Sequence, residues 1–548
     1  MTSTLTPMTH SGTSPGANTS PGTTGSSGTP GTGEIAASGS SSSAIKKVSL
    51  TTLTAMVVGS MVGAGVFSLP SNFAQSTGVF GAIVAWLVAG AGMLTIALVF
   101  QWLANRRPDL DAGVYAYAKS GFGEFPGFMS AFGFWASACI GNVTYWVLIM
   151  STIGAVFPGL GHGDTLLAVG LSVVGVWVFH SLVARGVREA TAINKIVTVA
   201  KVVPIIMFVI VTAVMLNTDV FAANFWGDGY GSLPQQIGNT MMVTLFVFLG
   251  VEGASVYSRY AKKRSHVGKA TIGGFLSVLM LFSLVSLVSY GAMTQDALAG
   301  LRQPSMAGVF SEVVGSWGGT FISIGLIVSV LGAYLAWTLM ASEVLYTSAR
   351  DNDMPKFLKK SNKSQAPINA LIMTSATSTL FLFVTLMSED AFNFSLTMTG
   401  AMSLIPYLLA AAFAVKLAWK DLRVPARTAA LISDDTHSQS AAFSTSGAEV
   451  AAGADQELAL DAPTPTRRKD LVIAVLAAFY SALLIFVAGL DVLLVSTMLY
   501  ALGSILFVMT RREQGRKAFS RKEALGFVGL VAAAVLGIVL LATGAIAL

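Results

Sequence analysis

Apolar residues fall in long unbroken runs, at roughly 50–73, 79–104, 124–157, 164–183, 191–216, 236–257, 270–293, 316–347, 368–388, 394–417, 470–489, 491–510 and 525–547. A helix rises 1.5 Å per residue, so about 20 apolar residues cross the ~30 Å hydrocarbon layer of a bilayer. No water is present there to satisfy free N–H and C=O groups, so runs of this length are predicted to be helices. The pattern predicts an all-α polytopic membrane protein with 12–13 spans, whose first partner is the lipid bilayer. Two polar stretches stand apart. Residues 1–44 are almost wholly Ser, Thr, Gly, Pro and Ala, with no basic residue before Lys46. That composition predicts a disordered tail and lacks the basic start and apolar core of a signal peptide. Residues 428–466 are acidic and rich in Ser, Ala and Thr, and predict a flexible loop.

Charge gives the spans a direction. Placing the amino terminus in the cytoplasm puts 31 of the 33 Lys and Arg residues in inward-facing segments, as the positive-inside tendency requires. Arg302 alone falls outside, Lys201 lies within a span, and thirteen spans leave the carboxyl terminus outside. Charged residues are only 11% of the chain, against about 25% in soluble domains. Cys139 is the single cysteine, and His10, His162, His180, His266 and His437 are scattered. Neither an intrachain disulfide nor a clustered metal site is expected, and no cofactor. There is no phosphate-binding loop for ATP-driven pumping, and nothing suggests nucleic acid.

The first span contains Gly59-Ser60-Met61-Val62-Gly63-Ala64-Gly65-Val66-Phe67 and ends at Pro70. Each glycine weakens a helix by about 1 kcal/mol relative to alanine. Close packing through small residues would account for the glycines alone. The sixth span, however, carries a companion in Phe248-Leu249-Gly250-Val251-Glu252-Gly253-Ala254-Ser255. Interruptions in the first member of each set of five spans predict a 5+5 inverted repeat with a midplane ligand site. The expected organisation is a ten-span core over 45–417, the loop 428–466, and accessory spans 11–13 over 470–548.

The stretch Gly59 to Pro70 closely resembles the first-helix signature of the amino acid–polyamine–organocation superfamily. Phe248 to Glu252, Ala336-Trp337-Thr338-Leu339 and Ile405-Pro406-Tyr407 fit the same family in order. Within it the chain is most similar to the basic amino acid/polyamine antiporters, in the lysine permease and arginine/ornithine exchanger branch. The resemblance implies a leucine-transporter-type fold and a cationic amino acid as substrate. A second copy of the chain, in a homodimer, is a further expected partner, and the expected home is a bacterial inner membrane.

Carried onto matching positions, the resemblance implies a carboxylate site at the Ala64 and Gly65 amides, with Met61 beside it. The free N–H groups at a helix start suit an anion. Carbonyls around Phe246 to Leu249 would take the α-ammonium. Phe246 stands where relatives have a gating tryptophan, and keeps a weaker cation–π face. Trp337 matches a second aromatic position and Asn142 an amide that contacts substrate. Ser137, Ala138 and Thr399 would complete the pocket.

Three ionisable residues lie within predicted spans: Lys201, Glu252 and Glu343. Each is costly there unless paired. Glu252 resembles an acid near the outer gate, with Tyr407 as its neighbour; Phe134 replaces the tyrosine that completes the family cluster. Lys201 resembles a lysine whose ammonium takes the place of sodium, bridging the first and eighth spans. Glu343 is six residues beyond Trp337, about 240° around a helix, and is expected to neutralise Lys201 or substrate indirectly. Two acids against one lysine would leave the interior near −1, complementing a substrate of +1.

These features predict a sodium-independent secondary transporter exchanging lysine, arginine or ornithine by alternating access. A proton-coupled permease for other amino acids or polyamines is the near alternative, and a non-transporting amino acid sensor the distant one. A channel would need a continuous polar pore. An enzyme would need a nucleophile–base pair, which the sequence does not present.

Overall fold

The computed structural model describes residues 49–107, 109–110, 113–185, 190–227, 229–252, 264–388, 390–423 and 466–546, with backbone alone at 190–200 and 264–265. The tail 1–44 and nearly all of the loop 428–466 lie outside the described residues. Among those described there are eighteen α-helices and no strand. Ten helices are each long and apolar enough to cross a membrane, and an eleventh span is a bent pair. Ala190–Val214 and Leu233–Phe248 complete the thirteen runs seen in the sequence.

We number the helices along the chain. The first span is α1 (Leu50–Met61), a 3-10 turn (Gly65–Ser68) and α2 (Leu69–Ala74), bent by 53° at the break. Ser49 caps α1, its hydroxyl accepting the Thr52 N–H, one of the four amides a helix start leaves orphaned. Next come α3 (Val79–Arg106), the short α4 (Val114–Phe122) and α5 (Glu124–Gly154). They are followed by α6 (Leu166–Arg185), α7 (Ala190–Val214), α8 (Thr218–Ala223) and α9 (Leu233–Phe248). Then follow α10 (Arg264–Ser289), α11 (Gln295–Ala299), α12 (Ser305–Val314), α13 (Ser316–Arg350) and α14 (Ile368–Val384). The last four are α15 (Ala391–Arg423), α16 (Arg468–Val487), α17 (Leu490–Glu513) and α18 (Arg521–Ala542).

Helix α5 is the pillar: 94% of its most apolar stretch is buried, against 11% for α18. It packs on α4, α13 and α15, and its small residues allow close approach. Helices α17 and α18 are held to its start by Glu124, which pairs with Arg511 at 2.8 Å and Arg516 at 3.0 Å. Phe125, Phe128, Phe507 and Phe519 pack edge-on or tilted against one another at the same end. The lipid-facing sides of the outer spans remain apolar, as on α18 with Leu525 and Val528.

Helix α15 runs to Arg423, six residues beyond the apolar run that predicted it. The extension is polar and so invisible to hydropathy; the Arg106–Asp421 pair at 2.9 Å ties it to α3.

Candidate functional site

Helix α1 stops because Val62 turns extended (φ −74°, ψ 97°), and the chain re-enters a helical turn at Gly65. The amides of Gly63, Ala64 and Gly65 donate to no partner among the described residues. Facing them is the end of α9. There Leu249 adopts φ −57°, ψ 137°, and Gly250 takes φ +101°. A side chain at Gly250 would be strained by that φ and would also place a Cβ 2.3 Å from the Ser60 carbonyl. Glycine therefore lets the end of α9 touch the broken first span, and the Ser60 hydroxyl donates to the Gly250 carbonyl at 3.0 Å. The end of α1 meets the end of α9, with the unpaired amides of the first span at the meeting point.

A small cavity opens at this point. Met61, Ala64, Gly65, Ser137, Ala138, Phe246, Leu249, Trp337 and Thr399 line it, nine of the ten residues singled out as substrate-binding. Asn142 does not. It lies four residues beyond Ala138 on α5, and its Nδ2 donates to the Thr338 hydroxyl at 3.0 Å. Its Oδ1 is buried with no partner among the described residues. The cavity also takes Gly63, Gly141, Tyr145 and Val247, which the sequence reading passed over. Ser137, Gly141 and Tyr145 recur at i, i+4 and i+8, the one-face spacing of a helix, so periodicity along α5 would have found Tyr145.

The lining is aromatic, aliphatic and hydroxyl-bearing, with no carboxylate. Phe246 is 7% exposed, and Trp337 is half-buried with its ring 6.3 Å from Phe134. Such faces attract a cation through the ring quadrupole, while hydroxyls of Ser137 and Thr399 offer polar contacts.

Glu252 and Tyr407 do meet: the tyrosine hydroxyl donates to Oε2 at 2.6 Å, and the Gly250 N–H to the same oxygen at 3.1 Å. Both residues are fully buried. Glu252 lies six residues beyond Phe246 on the segment leaving α9, and Tyr407 eight beyond Thr399 on α15. Tyr407 packs edge-on against Phe100 at 5.5 Å, on the stretch of α3 leading to Arg106. The pair therefore sits between the cavity and the end of the bundle that carries Arg106, Asp421 and Arg423.

Lys201 is 4% exposed, and its ammonium donates to the Gly59 carbonyl at 3.2 Å. It thus reaches the unpaired end of α1. Helix α7 packs along α13, but no hydrogen bond from Lys201 to that eighth span is present among the described residues. Glu343 is a correction. It is exposed on the outside of α13, with only the Thr347 hydroxyl at 3.5 Å, and it neutralises neither Lys201 nor the cavity. The 240° rotation from Trp337 carries it away from the core. One interior acid then balances one interior lysine, so the charge-sum clue to a cationic substrate lapses.

The opposite end of the cavity is covered by α2, all six of whose residues are buried. Segment 295–305 crosses it. The Ser71 hydroxyl and Gln75 Nε2 donate to the Ala299 carbonyl, both at 2.9 Å. Gln303 Nε2 donates to Asn72 Oδ1 at 3.1 Å, while Ser151 donates to the Gln303 carbonyl at 2.6 Å. Arg302 donates to the Ser151 carbonyl at 2.7 Å and also to that of Gly161.

A first span broken beside the end of α9, around a cavity in a chain with this many spans, is the architecture of a multi-pass membrane transporter. The chain belongs to the amino acid permease family, whose model it matches over residues 48–433. It is 43% identical over 495 residues to an arginine/ornithine antiporter of Pseudomonas aeruginosa, covering 89% of this chain and 95% of that one. An arginine/agmatine antiporter of Chlamydia abortus is 36% identical over 509 residues, 91% of this chain and 97% of its own. An L-lysine transport protein of Corynebacterium glutamicum is 35% identical over 517 residues, 94% of this chain and 99% of its own.

Proposed function

We propose that this protein exchanges basic amino acids (lysine, arginine or ornithine) across a bacterial inner membrane by alternating access, without sodium. The observation that carries the reading is the cavity at the helix breaks, lined by Phe246 and Trp337 and free of acidic groups. A zwitterion stripped of water needs its charges paired with dipoles. Ala64 and Gly65 amides would take the carboxylate, carbonyls at the end of α9 the α-ammonium, and the aromatic faces the distal cation. The names of the relatives point to the same substrates. The two interrupted spans, first and sixth, suit a core of two inverted repeats over 45–417, with spans 11–13 as an accessory block. The basic end that Glu252 and Tyr407 adjoin would then face the cytoplasm, with the carboxyl terminus outside.

A second reading, proton-coupled uptake, draws on the buried Glu252–Tyr407 pair, since a carboxylate there is suited to carrying a proton. Reconstituted protein and labelled lysine separate the two. Exchange gives uptake only when the vesicles contain lysine, arginine or ornithine. Symport gives uptake into empty vesicles that rises with an imposed proton gradient. Absence of flux for every basic amino acid in both conditions would defeat the reading of substrate class.

A further inference from the structure

We propose that the Tyr145 hydroxyl is a specificity determinant that donates to the substrate α-carboxylate, and so separates amino acids from their decarboxylated amines. The proposal rests on the carboxylate lying at the Ala64–Gly65 turn. Tyr145 lines the cavity and is 7% exposed, yet its hydroxyl makes no hydrogen bond to any described residue. A buried phenol ordinarily finds a partner, and this one instead opens into the space before the break in α1. Its oxygen would stand 2.9 Å from a Cβ on Gly63, the residue preceding the Ala64–Gly65 amides.

That distance gives Gly63 its purpose. A methyl group there would press on the hydroxyl, whereas the next ring atom, Cζ, is at an ordinary 3.6 Å. Gly63 leaves room for the oxygen alone. The tyrosine thereby adds an O–H donor to a turn that offers only N–H donors, and the set suits an oxygen anion with two acceptor atoms. A diamine lacks that anion and would gain nothing from the hydroxyl. The Tyr145 hydroxyl bonds to no other polar group among the described residues, so its removal leaves none of them stranded.

Competition against labelled lysine uptake in liposomes tests this, with lysine and cadaverine as competitors and three variants of the full chain. Tyr145→Phe should raise the lysine concentration for half-inhibition about tenfold, the loss expected for one hydrogen bond to a charged group, and leave cadaverine within about twofold. Gly63→Ala should show the same signature by displacing the hydroxyl. Added to Tyr145→Phe it should change little, because the atom it displaces is gone. Parallel weakening of lysine and cadaverine, or unchanged lysine binding in Tyr145→Phe, would overturn the assignment. If wild-type uptake is driven by a neutral amino acid and not by lysine, the basic-substrate reading fails. The comparison then runs with that amino acid and its own amine, so the two failures are told apart.

Discussion

At the end of the cavity that carries Arg302, closure is distributed: hydroxyls, carboxamides and one guanidinium reach backbone carbonyls and the Asn72 carboxamide across segment 295–305. Between the cavity and the end that carries Arg106, the Tyr407 hydroxyl and the Gly250 amide are both aimed at one carboxylate, Glu252. A neutral hydrogen bond contributes roughly 0.5–1.5 kcal/mol, and one to a charged group about 1.5–3 kcal/mol. Many weak bonds tolerate the loss of any one. A single cluster on a buried carboxylate does not, and that carboxylate can take up a proton.

The largest effect is therefore expected from Glu252→Gln. It preserves shape but removes the charge, and should lower lysine exchange at least about tenfold, the equivalent of roughly 1.4 kcal/mol, while flattening the dependence of rate on pH. Rates measured from pH 5 to 8 check this, and a wild-type profile would deny the pair any part in gating. At the other end, Gln303→Ala removes one bond of several. Exchange should stay within about threefold of wild type, in keeping with a loss near 0.5 kcal/mol; a collapse would show that the strap works as a unit.

The smallest effect belongs to the loop beyond α13. Lys119 on α4 pairs with Asp353 at 2.7 Å, and Tyr115 donates to Asp351. Burial pushes the Asp353 carboxyl above the ordinary carboxylate range, against the pull of Lys119. A carboxyl raised on folding adds stability below its unfolded value and loses it as pH rises through the raised one. Asp353→Asn should remove that slope, moving the melting temperature in detergent by on the order of a degree or two between pH 4 and 7. A steep loss of stability at all pH values would mean that the ion pair outweighs its burial.

Span positions were legible because hydropathy reports length, and the polar extension of α15 was not, for the same reason. The residues at the helix breaks could be named because glycine spacing and family motifs mark where a helix must stop. Glu343 was placed near the site by its position in a span, and its side chain faces outward by a rotation that only the packed helices fix. Asn142 shares the helix face of Ala138 and Tyr145 but turns its amide to Thr338, a pairing that no motif encodes. Tyr145 carried a readable signal, its register with Ser137 and Gly141, but a tyrosine in an apolar span looks like packing until its hydroxyl is seen to lack a partner.

The contact between Lys201 and the Gly59 carbonyl has a consequence in mass action. A dissolved ion occupies its site according to its concentration, and leaves when the bath is diluted. A cation on a covalent tether has an effective concentration fixed by the chain, so its occupancy carries no information about the medium. A transporter whose cationic post is filled this way draws no work from an ion gradient at that post. Under the exchange reading, it relaxes until the inside-to-outside ratios of the amino acids it carries are equal. Any accumulation of one must then come from the disposal of another.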